Sequence, residues 1–169
     1  MIENVRFETN AVRSTASVAG HPIHPMIVPF PIAFFVGALA CDLAFWGTYD
    51  PFWARAAHWL IGAGIIMAGA AALFGLIDFT TIRRARERIE GWAHMLGNVL
   101  VVILEIINWA FRLSRDPGAV IPAGLVLSII VTLLLVVTGW LGGELAFRHL
   151  IGVSGAVCTH EPVLKTTGS

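Results

Sequence analysis

Four long runs of apolar residues, separated by short polar segments, form most of this 169-residue chain. Each run supplies roughly the 20 predominantly apolar residues that an α-helix needs to cross a hydrocarbon core about 30 Å thick. Within lipid, only helices and closed barrels satisfy all of their backbone hydrogen-bonding groups. We therefore predict an all-α integral membrane four-helix bundle without a β-sheet. The predicted spans are residues 26–46, 58–78, 94–112 and 121–147.

The segments between and around these runs have the composition of loops and tails. The breaks fall at residues 47–51, at the charged segment 83–88, and at 112–117. The first 20 residues are polar and lack the apolar core of a signal peptide, so we expect the first span to be retained. The predicted divisions are a polar N-terminal tail (1–20), a transmembrane domain (21–155) and a C-terminal tail (156–169).

Composition supports this interpretation and excludes several classes of function. Apolar residues make up 57% of the chain and charged residues 13%, whereas about a quarter of the residues in soluble domains are charged. The formal net charge is zero, so we expect a lipid bilayer as a partner and no nucleic acid. Cys41 and Cys158 lie far apart and form no CxxC motif, which predicts no redox or zinc framework.

Basic residues in the loops predict the orientation of the chain. Four crossings place both termini and the 83–88 segment on one membrane face, side A, and the other two loops on the opposite face, side B. Side A holds eight basic residues: Arg6, Arg13, Arg83, Arg84, Arg86, Arg88, Arg148 and Lys165. Side B holds three: Arg55, Arg112 and Arg115. Because cytoplasmic loops are enriched in Lys and Arg, side A and both termini are predicted to be cytoplasmic.

Ionisable side chains gather at the ends of the spans on side A. Such groups are costly at membrane depth, so each is a candidate site residue. A proline after each of the first two histidines favours an extended loop there rather than a helical turn. A competing interpretation is that these groups form only hydrogen bonds and surface ion pairs, such as Asp78 with Arg83 and Glu144 with Arg148. The candidates are His21, His24, Asp78, His94, Glu144 and His149.

The third span also carries a polar stripe, whose members fall within about 80° of arc on one helix face. Such a stripe is typical either of a site inside the bundle or of hydrogen bonds between helices. Near side B, two interpretations of Asp42 and His58 stay open: they form a charged hydrogen bond with each other, or both are interfacial polar groups that face water. The stripe consists of His94, Asn98, Glu105 and Asn108.

Histidines in a membrane bundle suit three kinds of chemistry. Two neutral imidazoles on facing helices hold a haem iron from both sides. Three or four histidines with a carboxylate hold zinc, copper or non-haem iron. A chain of His, Asp and Glu side chains relays protons to or from a quinone. The sequence contains no GxSxG or HExxH motif, so it does not predict hydrolytic catalysis of those kinds.

The segment Gly20-His21-Pro22-Ile23-His24-Pro25 is similar to the opening signature of a bacterial membrane family catalogued as domain of unknown function 2231. The similarity continues through residues 75–78, 93–98 and 139–149 and covers about residues 20–155. This resemblance implies a four-span protein of a bacterial inner membrane. The family resembles the small b-type cytochromes more distantly, and some relatives carry Rieske or cytochrome c modules, which implies electron transfer.

These observations together predict a membrane-embedded electron-transfer subunit that binds haem b. His94 and His149, on adjacent antiparallel spans at matched depth, are the predicted axial ligands of the haem iron. His21 and His24 are expected to line the same pocket. The expected partners are other membrane redox subunits or quinone. The groups expected to orient the imidazoles are Asp78, Glu144 and Asn98.

Two alternatives stay open. One is a non-catalytic accessory subunit that packs in a larger respiratory or photosynthetic membrane complex. The other is a non-haem metal-binding protein that uses the same histidines for zinc, copper or iron. An electron-transfer or accessory role is favoured over a stand-alone enzyme, and assembly as a homo-oligomer or as part of a larger complex is compatible with either.

Overall fold

A computed structural model describes residues 11–113 and 120–153. Two short strands come first, β1 (Ser17–Val18) and β2 (His21–Pro22). The helices follow. They are α1 (Ile23–Ile27), α2 (Pro29–Thr48), α3 (Pro51–Thr81), α4 (Arg83–Arg86), α5 (Ile89–Leu113) and α6 (Ala123–Gly143), and a π-helical turn (Glu144–Arg148) continues α6.

Four of these helical stretches are long and apolar enough to cross a membrane. They are Ile23–Thr48, which joins α1 and α2, Pro51–Thr81, Ile89–Leu113 and Ala123–Arg148. The all-α, four-span prediction is therefore confirmed. The first three predicted spans lie inside these bounds. The fourth was placed two residues early, because residues 121 and 122 precede the helix.

Capping residues explain where the second span begins. The Asp50 side chain accepts a hydrogen bond of 2.9 Å from the backbone N–H of Phe52. Pro51 occupies the first helical position, where its missing N–H costs nothing. Only two residues, Tyr49 and Asp50, separate α2 from α3, so the two helices form a tight antiparallel hairpin.

The four spans form a closed ring. Helix α2 packs against α3 and α6, and α5 packs against the same two helices. Large apolar side chains such as Ile66, Leu133 and Val136 are exposed on the outside. The most deeply buried side chains include the polar Asp42, Glu105, Asn108 and Ser128. Exposed apolar residues around a partly polar interior are what a lipid environment requires.

An apolar cluster fills the middle of the bundle and separates its two ends. It contains Phe35 of α2, Ala68 of α3, Val101 of α5, and Val131 and Leu135 of α6. The Phe35 ring lies against Gly64 so closely that a Cβ there would overlap it. Polar side chains of the interior therefore lie in two separate layers, one towards each membrane face.

The segment before the first span folds against the side-A end of the bundle. Strands β1 and β2 pair antiparallel, with Val18 opposite His21. This two-residue ladder makes the expectation of no β-sheet wrong in detail, although the fold is helical. Val12 pairs with Ile151 in a parallel bridge. Residues 11–20 of the predicted N-terminal tail are thus packed on the bundle, and residues 1–10 and the predicted C-terminal tail lie outside the described part.

Asp78 anchors this segment at the end of α3. Its Oδ2 accepts a hydrogen bond of 2.7 Å from the Ser14 hydroxyl. Its Oδ1 accepts bonds of 2.8 and 2.9 Å from the backbone N–H groups of Thr15 and Ala16. Among the described residues, Asp78 therefore binds the segment 14–16, and neither an imidazole nor the suggested partner Arg83 pairs with its carboxylate.

Candidate functional site

The imidazoles of His24 and His94 reach the interior of the side-A layer from different helices. His24 Nδ1 lies 2.8 Å from the backbone oxygen of Ala71 in α3. His94 Nδ1 lies 2.8 Å from the backbone oxygen of Thr138 in α6. A carbonyl oxygen only accepts hydrogen bonds, so Nδ1 is the protonated nitrogen of each ring. In the neutral rings, both Nε2 atoms consequently carry the lone pair that can bind a metal ion.

Two glycines make room for these rings. A Cβ on Gly75 of α3 would lie 2.8 Å from both Cε1 and Nδ1 of His24. A Cβ on Gly142 of α6 would lie 2.9 Å from Cε1 of His94. Each imidazole therefore occupies the space beside a neighbouring helix that the side chain of a residue larger than glycine would fill. The same helix supplies both the carbonyl acceptor and the glycine for each ring.

The two rings lie close to one another. Their centroids are 6.3 Å apart and their planes cross at 87°. Asn98, one turn after His94, places its amide nitrogen 3.4 Å from both ring nitrogens of His94. The same amide donates a 2.8 Å hydrogen bond to the His94 backbone oxygen. Asn98 thus lies beside the His94 ring, and its predicted role in orienting the imidazole stays a prediction.

His24 differs from its predicted local conformation. We expected both His21 and His24 in an extended loop, and His21 does lie in β2. His24, however, lies in the helical turn α1. Pro25 follows it within the first turn of that helix, where a missing N–H breaks no hydrogen bond. This local geometry brings His24 to α3.

The other candidates take different positions. His21 Nδ1 lies 3.1 Å from the backbone oxygen of Ala19 inside the hairpin, where the residue is exposed. His149 is half-buried after the π-helical turn, and its backbone N–H donates to Glu144. Glu144 pairs with Arg148 at 3.2 Å, as the surface-pair interpretation predicted. Within the described residues, the ring that contacts His94 is His24, and no ring contact or hydrogen bond joins His94 to His149.

The wider set of ligands needed by a non-haem metal does not assemble in the described part of the chain. Among residues 11–113 and 120–153, no three His, Cys, Asp or Glu side chains lie close enough to hold a metal ion together. Cys158 lies outside these ranges. The candidate site on side A therefore consists of two imidazoles with their carbonyl, glycine and asparagine contacts.

A second polar layer lies towards side B and is built around an ion pair. Arg112 of α5 donates from both terminal nitrogens to the two carboxylate oxygens of Asp42 in α2, at 2.7 Å each. Both side chains are almost completely buried. Ser128 of α6 donates a 2.6 Å hydrogen bond to Asp42, and Arg112 Nε donates a 2.9 Å bond to Asn108. The layer therefore joins α2, α5 and α6.

The expected pair of Asp42 with His58 is wrong. The His58 ring instead stacks on Trp109, with centroids 5.5 Å apart and planes inclined by 15°. Arg112 was counted as a loop charge, but it lies inside the bundle. The sequence did contain a signal for this position, because Arg112 follows Asn108 by four residues and Glu105 by seven and so continues the polar stripe of α5.

Comparison with known families supports the membrane assignment. The model of a family described as "Predicted membrane protein (DUF2231)" matches residues 20–155. This match confirms the resemblance drawn from the Gly20–Pro25 signature, whereas the more distant resemblance to b-type cytochromes stays a prediction. No curated protein and no solved structure matches the chain.

Proposed function

The chain belongs to the family of membrane proteins described as DUF2231, and we propose that it is an electron-transfer subunit that binds haem b through His24 and His94. The observation that carries this proposal is the arrangement of the two imidazoles. Both Nδ1 atoms donate to backbone carbonyls, and the ring centroids are 6.3 Å apart with planes that cross at 87°. The proposal keeps the predicted chemistry and replaces His149 by His24 as the partner of His94.

The donor set fits the iron of a haem. Two imidazole nitrogens that each bind one metal ion at about 2.0–2.1 Å leave their ring centres roughly 6 Å apart. The 6.3 Å separation agrees with that spacing. Histidine is a common axial ligand of haem iron, and a ligating imidazole almost always donates its other N–H to a carbonyl or carboxylate. Both histidines already make that second contact.

The two hairpins would hold the group between them. His24 lies against α3 and His94 against α6, so the rings approach from opposite sides of the bundle interior. The carbonyl oxygens of Ala71 and Thr138 fix the ring orientation and make Nε2 more basic. A bound haem would supply reversible one-electron chemistry. The protein would set its potential through these contacts and through the low polarity of the surrounding helices.

A second candidate function is that of a non-catalytic accessory subunit. The hydrogen bonds of His24 and His94 also favour this function, because they join helices of the bundle. Each histidine bond crosses from one helix to another, from α1 to α3 and from α5 to α6. Both rings also fill the space beside a glycine. In this account His24 and His94 fasten the helices together, and the function of the bundle lies in the larger membrane complex that it joins.

We also infer that side A faces the cytoplasm of a bacterial inner membrane. Arg83, Arg86 and Arg88 are exposed in the segment between the second and third spans. On side B, Arg112 is buried in its ion pair with Asp42 and does not act as a loop charge. Without Arg112, the number of basic residues in the side-B loops is smaller. The excess of basic residues on side A, on which the positive-inside rule relies, is therefore larger.

An absorption spectrum of the purified protein, produced with haem available, tests the proposed function. The haem account predicts a Soret band and haem in near-equimolar amount to the chain. Elemental analysis of the same sample separates the other possibilities. Zinc, copper or iron without a Soret band would support a bare metal ion between the histidines, and a protein free of both haem and metal would support the accessory subunit.

A further inference from the structure

The buried layer near side B contains one carboxyl group that its ion pair does not neutralise. Asp42 and Arg112 compensate each other through two hydrogen bonds of 2.7 Å. Glu105 lies in the same layer, two turns before Arg112 on α5, and its side chain is completely buried. If Glu105 were ionised, the layer would carry one net negative charge inside the membrane.

The surroundings of Glu105 do not suit an ionised carboxylate. Its Oε2 accepts a long hydrogen bond, 3.3 Å, from the Asn108 amide. Its Oε1 is buried and has no hydrogen-bond partner among the described residues. The ion pairs described for this part of the chain join Arg112 to Asp42 and none joins a cation to Glu105. Burying an unpaired charge costs far more than burying a neutral polar group.

Other titratable groups around this layer do not supply the missing charge. Helix α2 contributes Asp42, which is negative, and Cys41, which packs on the α3 side with Ala57 and Ile61. Helix α3 contributes His58, whose ring is stacked on Trp109. From α6, the contact is the neutral hydroxyl of Ser128, which accepts from Asn108 at 3.3 Å. Among residues 11–113 and 120–153, Arg112 is thus the cation of the layer, and its two terminal nitrogens donate to Asp42.

We propose that Glu105 is a proton-binding site in the membrane interior, which holds one exchangeable proton as a neutral carboxylic acid at neutral pH. The proton removes the net charge of the layer without a second cation. Its route of exchange lies towards side B, because Glu105 shares its layer with Arg112, which is the penultimate residue of α5. Towards side A, the apolar cluster around Val101 closes the interior. This site is independent of the histidine pair.

Infrared spectroscopy of the full chain in a detergent without ester groups tests the proposal, because the carbonyl stretch of a carboxylic acid is resolved there from the bands of a carboxylate. At neutral pH we expect one carboxylic acid band that moves when the sample is transferred to D₂O. Glu105→Gln should remove it. The matched control is Glu144→Gln, which changes a partly exposed glutamate of the fourth span and should leave the band in place.

If Glu105→Gln does not fold, labelling of the wild-type protein with ¹³C-glutamate provides the test instead. The label must shift the carboxylic acid band if that band belongs to a glutamate. Three results would overturn the proposal. The first is the absence of a carboxylic acid band at neutral pH. The second is a band that ¹³C-glutamate does not shift or that persists in folded Glu105→Gln. The third is a band that never moves in D₂O, because the proton would then not be exchangeable.

Discussion

Gly142 lies directly beside the imidazole of His94, at a distance where a Cβ would come within 2.9 Å of Cε1. The glycine and the ring belong to different helices, α6 and α5, so this contact sets how closely the two helices approach. Gly75 and His24 repeat the relationship between α3 and α1. Both histidines of the candidate site thus depend on a glycine of the helix they face.

Adding one methyl group at these glycines should therefore disturb the site. We expect Gly142→Ala to displace the His94 ring from Thr138 and to lower the free energy of unfolding by about 1–3 kcal/mol, the usual cost of overpacking. Thermal unfolding of the purified protein in detergent measures this loss. The matched control is Gly139→Ala in the same helix, where a Cβ would meet nothing within 4 Å.

For Gly75→Ala the corresponding control is Gly69→Ala, again in open space on the same helix. Both control variants should be neutral or slightly stabilising, because alanine favours a helix over glycine by up to about 1 kcal/mol. Equal effects of Gly142→Ala and Gly139→Ala would mean that the close contact with His94 does not constrain the packing.

The ion pair of Asp42 and Arg112 should be among the most sensitive contacts of the bundle. Asp42→Asn or Arg112→Leu leaves a buried group without its partner, and we expect each to cost about 3–5 kcal/mol. The double variant should lose clearly less than the sum of the two losses, because the groups are coupled. Chemical or thermal unfolding of all three variants measures the coupling.

Two comparisons control this experiment. Arg83→Ala breaks an exposed pair with Glu87 and should cost less than about 1 kcal/mol. His58→Gln combined with Asp42→Asn should give additive losses, since His58 stacks on Trp109 and does not bind Asp42. Additive losses for Asp42 and Arg112 would contradict the structure.

The four spans could be predicted from the sequence, whereas the pairing inside the bundle could not. Hydropathy is a local property, so spans such as 26–46 and 94–112 can be recognised from their own residues without knowledge of the rest of the chain. The partner of a buried group depends on how each helix is rotated about its axis, and Asp42 and Arg112 are 70 residues apart. The clustering of polar groups on side A was predictable from topology. That His94 faces His24 depends on packing that small residues such as Gly75 and Gly142 permit.

Asp78 should control how firmly the segment before the first span is held. Asp78→Ala removes three acceptor contacts to Ser14, Thr15 and Ala16, and hydrogen bonds to charged groups are worth about 1.5–3 kcal/mol. We expect amide hydrogen exchange at Thr15 and Ala16 to accelerate by roughly tenfold or more. Exchange in the middle of α3 should not change. Unaltered exchange at Thr15 would show that Asp78 does not anchor the segment.

The proposed orientation predicts which loops a membrane-impermeant thiol reagent reaches in intact cells. With Cys41 and Cys158 replaced by alanine, Tyr49→Cys on side B should react from outside. Glu87→Cys on side A should react only after the membrane is permeabilised. The expected asymmetry follows from the basic segment at 83–88. Labelling of Glu87→Cys but not Tyr49→Cys in intact cells would reverse the assignment.

The central claim, that His24 and His94 together hold haem iron, is tested most directly by the absorption spectra of four histidine variants produced with haem available. His24→Ala and His94→Ala should each abolish or shift the Soret band, while all four spans still insert because hydropathy drives insertion. His149→Ala and His58→Ala should retain the wild-type spectrum. A wild-type protein without Soret absorbance would contradict the account. So would a spectrum that survives His24→Ala but is lost in His149→Ala.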